Sequence, residues 1–132
     1  MKFYTNVEQA GNRLLVRGYN NGQRYSDRVP FNPTLFLPTK QHSKWKTLEG
    51  QPVQPHRFGS ITEAREFVKG YKEVPDFEIH GNTRFLYQYI AEQHPEDQIK
   101  FDSTKIRIFN IDIETAAENG FPDIESADQE IL

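Results

Sequence analysis

The chain has 132 residues, of which 36% are hydrophobic and 13% aromatic, and it contains no cysteine. This length holds one ordinary domain, or one small domain and the beginning of another, and the aromatic content argues against disorder. The lack of cysteine excludes disulfides and thiolate metal sites. Because no apolar run approaches the roughly 20 residues of a membrane span and the N-terminus lacks a signal peptide, the sequence predicts a soluble, cytoplasmic protein without membrane contact.

The formal net charge of -3 is unevenly distributed along the chain. Residues 108–132 contain seven of the 19 acidic residues and none of the 16 lysines and arginines, so residues 1–107 carry about +4. Two electrostatic regions therefore meet near residue 108. The charge distribution alone leaves open whether the acidic region is a solvated tail or part of a functional site.

The first part of the chain is predicted to form a β-meander. Alternating residues indicate strands at residues 2–8, 14–19 and 25–31, which are separated by the turn sequences Gly11-Asn12 and Asn20-Asn21-Gly22. A fourth strand, at residues 34–37, lies between prolines and is therefore expected at the edge of a sheet.

Residues 39–58 have no clear periodicity and predict a long loop, with one short strand around Val53. Basic side chains accompany one aromatic side chain there, a combination that can bind a nucleic-acid backbone. The residues concerned are Lys40, Lys44, Trp45, Lys46 and Arg57. A solvated loop with Trp45 packed inward explains the same sequence, and both interpretations stay open.

Two helices are predicted after this loop. Ser60 and Glu63 have the spacing of a capping box, and apolar residues recur at helical spacing from there to Tyr71. A second helix is expected over residues 83–93, and a short strand over residues 77–79.

Residues 105–114 alternate with a period of two and predict a strand on which Asp112 and Glu114 share one face. Two like charges on a largely buried strand are costly unless cations neutralise them. Carboxylate oxygens bind Mg²⁺ or Mn²⁺, and carboxylate pairs hold the ions of two-metal nucleases. We therefore expect Asp112 and Glu114 to be metal-binding and catalytic, the alternative being exposed acids at the end of a strand.

A stretch around these carboxylates resembles the first exonuclease motif of family B DNA polymerases: Phe109-Asn110-Ile111-Asp112-Ile113-Glu114-Thr115, followed by Phe121-Pro122-Asp123. The upstream chain is similar, in order, to the T-even-like phage branch of that family. The matching segments are Lys2-Phe3-Tyr4, Asn32-Pro33-Thr34-Leu35-Phe36, the Gly50, Pro55 and Phe58 stretch, Ser60-Ile61-Thr62-Glu63-Ala64-Arg65-Glu66-Phe67, and Gly81-Asn82 with Phe85.

The resemblance implies that residues 1–102 form the polymerase N-terminal domain, incomplete here, with an α+β fold in which a β-meander is followed by a ferredoxin-like helical portion. Residues 103–132 would then begin a truncated RNase H-like 3′–5′ exonuclease domain. In the parent enzyme Asp112 and Glu114 would bind Mg²⁺ or Mn²⁺ in a two-metal site. Since the other exonuclease and polymerase motifs would follow later, we expect this chain alone to have neither activity.

The partners implied by the resemblance are template and primer DNA, RNA bound by the N-terminal module, and the remainder of the polymerase. Two other interpretations stay open. In the first, the chain is a stand-alone nucleic-acid-binding module whose basic region binds the DNA or RNA backbone. A docking subunit of a split polymerase, or a homo-oligomer, would use an exposed apolar edge at residues 106–113 and Ile131-Leu132.

Overall fold

The computed structural model describes residues 1–96, 99–116, 120 and 125–126. These residues form two three-stranded antiparallel sheets, two α-helices and one short 3₁₀ helix. The α+β class predicted from the sequence is therefore confirmed. No helix in the described part of the chain is long and apolar enough to cross a membrane.

The first sheet is a meander of strands β1 (Lys2–Ala10), β2 (Arg13–Asn20) and β3 (Gln23–Pro30), in the order β1-β2-β3. Asn21 and Gly22 connect β2 to β3 with φ angles of 49° and 81°. Two successive residues with positive φ match the right-handed twist of hairpin strands, which is why Asn-Gly is favoured there. The predicted meander is confirmed.

The second sheet contains β4 (Thr34–Pro38), β5 (Trp45–Lys46) and β6 (Pro52–Arg57), in the order β4-β6-β5. The predicted edge position of β4 is confirmed. The short strand predicted around Val53 is confirmed as part of β6, but the rest of residues 39–58 is not one long loop, because β5 and the full length of β6 also lie there. Proline is tolerated in β6 since β5 pairs only with its first two residues, Pro52 and Val53, and Pro55 therefore has a strand neighbour on one side alone.

Helices α1 (Ile61–Tyr71) and α2 (Phe85–Gln93) follow the second sheet. The Ser60 hydroxyl accepts a hydrogen bond from the Glu63 N–H at 3.1 Å, as predicted. The Glu63 carboxylate accepts its bond from the Gly59 N–H at 2.8 Å, one residue before the expected donor.

The strand predicted at residues 77–79 is not formed. Only His80 pairs, through two backbone hydrogen bonds with Phe36 of 2.8 and 2.9 Å. Asp76 and Gly81, with φ angles of 57° and 120°, bend the chain on both sides of this contact. The pairing with β4 is therefore limited to the single bridge at His80.

The core lies between the two sheets and the two helices. Its buried members come from five of the strands and helices and from the connections between them: Val7, Leu14, Val16, Phe31, Leu35, Phe58, Ile61, Ala64 and Phe85. On β2, Leu14 and Val16 face this core, so the intervening residues face away from it. That alternation decides which side chains of the first sheet are available for binding.

The strand predicted at residues 105–114 is not formed in this structure. Ser103–Lys105 is a 3₁₀ helix, and residues 106–114 have no strand assignment. Ile108 and Ile111 are 82% and 84% exposed. A strand requires a neighbour that satisfies its backbone N–H and C=O groups, and the described part of the chain places none beside this segment.

Candidate nucleic-acid and metal-binding residues

Asp112 and Glu114 lie in the exposed segment that follows the 3₁₀ helix. The two residues provide carboxylate oxygens, the ligand type that Mg²⁺ and Mn²⁺ prefer. Among the described residues, no group of three or more His, Cys, Asp and Glu side chains is placed to hold a metal ion. The pair therefore fits a divalent metal in chemistry, but it supplies only a part of the six oxygen ligands that Mg²⁺ requires.

Trp45 is held on the outer side of the second sheet. Its ring lies 5.3 Å from that of Phe36 and is 45% exposed, and the Lys44 ammonium lies 5.3 Å from its centroid. The Ser43 hydroxyl donates to the Val53 carbonyl at 2.6 Å and accepts from the Trp45 N–H at 3.1 Å, which fixes the start of β5. The ring is thus partly packed and partly available for stacking.

The five basic and aromatic residues singled out in the sequence do not form one cluster. The Thr39 N–H donates to the Pro52 carbonyl at 3.2 Å, which places Lys40 at the same end of the sheet as Lys46. Arg57 is at the opposite end of β6, roughly 16 Å along the strand, where it pairs with Glu92 at 3.8 Å. Lys40, Lys44, Trp45 and Lys46 are therefore brought together and Arg57 is not.

A groove of about 490 Å³ beside Trp45 is lined by apolar and charged groups of both signs. Glu49 and Glu78 contribute negative charge next to Lys46. Hydrogen bonds from its own backbone N–H and from the Thr47 hydroxyl lower the pKa of Glu49, so it stays ionised at neutral pH. These carboxylates oppose the binding of a polyanion in this groove.

A second groove, of about 460 Å³, lies on the first sheet and was missed by the sequence analysis. Arg17, Arg24 and Arg107 line it together with Tyr19. The available signal was a pair of arginines four residues apart on or directly before each of two adjacent predicted strands, Arg13 with Arg17 and Arg24 with Arg28. It becomes meaningful only with the register of β2 and β3, which places the side chains on one face.

No protein-family model matches the chain. The chain is 31% identical over 131 residues to the DNA-directed DNA polymerase of Enterobacteria phage T4, covering 98% of this chain and 14% of that protein. It is 31% identical over 129 residues to the DNA-directed DNA polymerase of Escherichia phage RB69, covering 96% of this chain and 14% of that protein. The chain thus spans 14% of the length of these curated relatives, and its predicted resemblance to T-even-like phage DNA polymerases is confirmed.

Proposed function

We propose that this chain is part of a phage-type replicative DNA-directed DNA polymerase with a 3′–5′ proofreading exonuclease. The observation that carries the proposal is the 31% identity to the phage T4 polymerase over 98% of the chain. The Asp112-Ile113-Glu114 sequence lies within this similar region and supports the exonuclease assignment.

In this proposal residues 1–102 belong to the polymerase N-terminal domain and residues 103–132 begin an RNase H-like exonuclease domain. The last helix packed against the core ends at Gln93. After the 3₁₀ helix Ser103–Lys105, residues 106–114 have neither a helix nor a strand assignment. The acidic charge concentrated after residue 107 supports the same boundary.

Asp112 and Glu114 would hold Mg²⁺ or Mn²⁺ in the complete enzyme, where the ions activate water and stabilise the leaving oxygen. The contribution of this chain is two carboxylate ligands, which we expect to bind Mn²⁺ weakly. Titration of free Mn²⁺ followed by electron paramagnetic resonance tests the assignment. The double variant Asp112→Asn with Glu114→Gln should lose the binding, whereas Glu66→Gln with Glu73→Gln, on and just after α1, should retain it.

Because two carboxylates are an incomplete two-metal site, we expect no exonuclease or polymerase activity from this chain by itself. Labelled single-stranded DNA is incubated with the chain and Mg²⁺ and examined for shortening from the 3′ end. Metal-dependent shortening that disappears in Asp112→Ala would contradict the expectation.

The exposed apolar residues of segment 106–113 are proposed to contact the remainder of the polymerase. Ile108, Phe109 and Ile111 are each about 80% exposed here, and an exposed apolar stretch of this kind marks an interaction surface. Fast backbone hydrogen exchange across this segment in the chain alone is the expected result. Strong protection there without a partner would contradict the proposal.

A second candidate function is a stand-alone module that binds DNA or RNA, favoured by the placement of Lys40, Lys44, Trp45 and Lys46 at one end of the second sheet. Lysines beside a half-exposed aromatic ring can hold a nucleic-acid strand through phosphate contacts and stacking. Salt-sensitive binding of an RNA or DNA oligonucleotide by the chain supports this function. No binding at low salt would exclude it.

A further inference from the structure

We propose that the outer face of the first sheet binds the phosphodiester backbone of a single nucleic-acid strand. This face, called here the arginine face, consists of Arg13, Arg17, Arg24 and Arg28 with Tyr19, and it faces away from the core. The inference rests on the proposed nucleic-acid partner, but it assigns the main contact to a surface other than the Lys40–Lys46 end of the second sheet.

Strand register places the four arginines together. Directly opposed residues of an antiparallel pair project from the same face, and Tyr19 is opposite Arg24 while Leu15 is opposite Arg28. Arg17 lies between Leu15 and Tyr19 on the same face of β2, since the alternate residues are buried in the core. All four arginines are exposed.

The segment that follows the 3₁₀ helix forms one wall of a groove on this face. Ile106 and Arg107 line the groove of about 460 Å³ together with residues of β2 and β3. The groove therefore has three guanidinium groups, those of Arg17 and Arg24 from the sheet and that of Arg107 from this segment. Basic grooves with an aromatic side chain, here Tyr19, bind single nucleic-acid strands.

Arg24 is oriented by an aromatic residue instead of a carboxylate. Its Nε donates to the Tyr19 hydroxyl at 3.1 Å, and its guanidinium lies 5.8 Å from the ring centroid. The terminal N–H groups stay available, and guanidinium groups bind phosphate oxygens with two parallel hydrogen bonds. This arrangement holds Arg24 in position without neutralising its charge.

Among the described residues, one arginine of this face forms an ion pair with a carboxylate. Glu8 pairs with Arg17 at 3.1 Å, and in the part of the chain that the structure describes no acidic side chain forms an ion pair with Arg13, Arg24, Arg28 or Arg107. The charge is also spread along the strand, with Arg24 and Arg28 roughly 13 Å apart. A chain of phosphates matches such a row better than a single small anion does.

The test measures the affinity of the full chain for fluorescein-labelled (dT)12 and (rU)12 by anisotropy at a series of salt concentrations. For single strands each phosphate contact contributes about 0.7 to the slope of log K against log salt. The double variant Arg24→Gln with Arg28→Gln should therefore reduce the slope by about 1.4. The matched control is Lys69→Gln with Lys72→Gln, which removes the same charge from α1 and the residue after it and should leave the slope unchanged.

A further double variant, Lys44→Gln with Lys46→Gln, separates the two surfaces. A larger loss of slope in this variant than in the arginine variant would overturn the arginine face while leaving nucleic-acid binding intact. No binding of either oligonucleotide by the unaltered chain would overturn both. Comparison of (dT)12 with (rU)12 identifies the source of the phosphates, and equal binding of poly-glutamate would assign the face to acidic polypeptides and contradict the proposal.

Discussion

Gly18 occupies the middle of β2, where it pairs with Tyr4 on one side and Tyr25 on the other. A Cβ at this position would lie 2.1 Å from the Phe3 carbonyl oxygen and 2.8 Å from the Tyr4 Cα. Both are backbone atoms, so the strand must shift to accommodate a methyl group. We expect Gly18→Ala to lower the free energy of unfolding by about 2 kcal/mol, measured by urea denaturation.

The control for that change is Gly70→Ala, near the end of α1. A Cβ there meets nothing within 4 Å, and alanine is favoured over glycine in a helix by roughly 0.5–1 kcal/mol. Gly70→Ala should therefore stabilise the protein slightly. Equal effects of the two substitutions would contradict the packing explanation.

His94 makes the stability of the fold depend on pH. Partial burial lowers the pKa of His94, and the charge of Lys2 lowers it further. The unfolded chain, with a histidine pKa of about 6.5, then binds more protons than the folded chain as the pH falls. Stability is therefore lost as the pH falls through about 6.5 towards the folded-state pKa.

The substitution His94→Phe removes the titrating group and keeps a ring beside Tyr4, whose centroid lies 4.5 Å from that of His94. Urea unfolding at several pH values between 7.5 and 5.5 should show a smaller loss of stability in this variant than in the unaltered protein. The loss of stability in the variant Lys2→Met should be intermediate between that of His94→Phe and that of the unaltered protein. An unchanged pH dependence in His94→Phe would assign the effect to other groups.

At the scale of elements, Gln88 connects α2 to the start of β4. Its side-chain oxygen accepts from the Thr34 N–H at 2.9 Å, and its amide nitrogen donates to the carbonyls of Thr34 at 2.9 Å and Asn82 at 2.7 Å. Replacing Gln88 with glutamate puts a carboxylate oxygen, which can only accept, where the amide nitrogen donates to these two carbonyls. We expect Gln88→Glu to cost roughly 1–3 kcal/mol at pH 7.

The cost of Gln88→Glu should shrink in acid. Two carbonyl oxygens disfavour the ionised carboxylate, so its pKa in the folded state is raised above the unfolded value of about 4.3. The variant is then most stable at pH values below the unfolded-state pKa, and it loses stability as the pH rises through the folded-state pKa. Urea unfolding at pH 4 and pH 7 measures this, with Gln23→Glu at the exposed start of β3 as control.

The elements that the sequence predicted well are those whose signals are local. Gly11-Asn12 and Asn21-Gly22 indicate hairpin turns, and Ser60 with Glu63 indicates a helix start, without reference to the rest of the chain. A short strand around Val53 was predicted, but the full length of β6 was not, because its prolines indicate a loop unless the extent of its pairing with β5 is known. The pairing of His80 with Phe36 also depends on residues far apart in the sequence. The alternation of residue types at 105–114 indicates which residues share a face, but it does not indicate whether a partner strand is present.

The same distinction applies to the candidate sites. Asp112 and Glu114 were found because their spacing and neighbours form a motif along the sequence. Trp45 and its lysines were identified as a group, but the distance of Arg57 from them depends on the length of β6. Arg24 and Arg28 were not identified, since their relation to Arg17 is set by cross-strand register.

For the whole molecule, the principal feature outside the core is the exposed apolar segment at residues 106–113. Ile108, Phe109, Ile111 and Ile113 are 82%, 79%, 84% and 60% exposed. Burying such side chains contributes about 1.5–3 kcal/mol each, so association is favourable wherever a complementary surface exists. A second copy of the chain is one such partner, and we expect self-association at high protein concentration.

Sedimentation velocity over a range of concentrations tests this expectation. Ile108→Lys with Ile111→Lys should keep the chain monomeric, whereas Leu48→Lys with Val74→Lys, which adds the same charge at exposed apolar positions elsewhere, should not. Varying the salt concentration distinguishes apolar from electrostatic association. Electrostatic contacts between the basic region 1–107 of one copy and the acidic region 108–132 of another weaken as ionic strength rises. Apolar association persists at high salt, and a monomer at every concentration and salt would show that this segment does not bind a second copy.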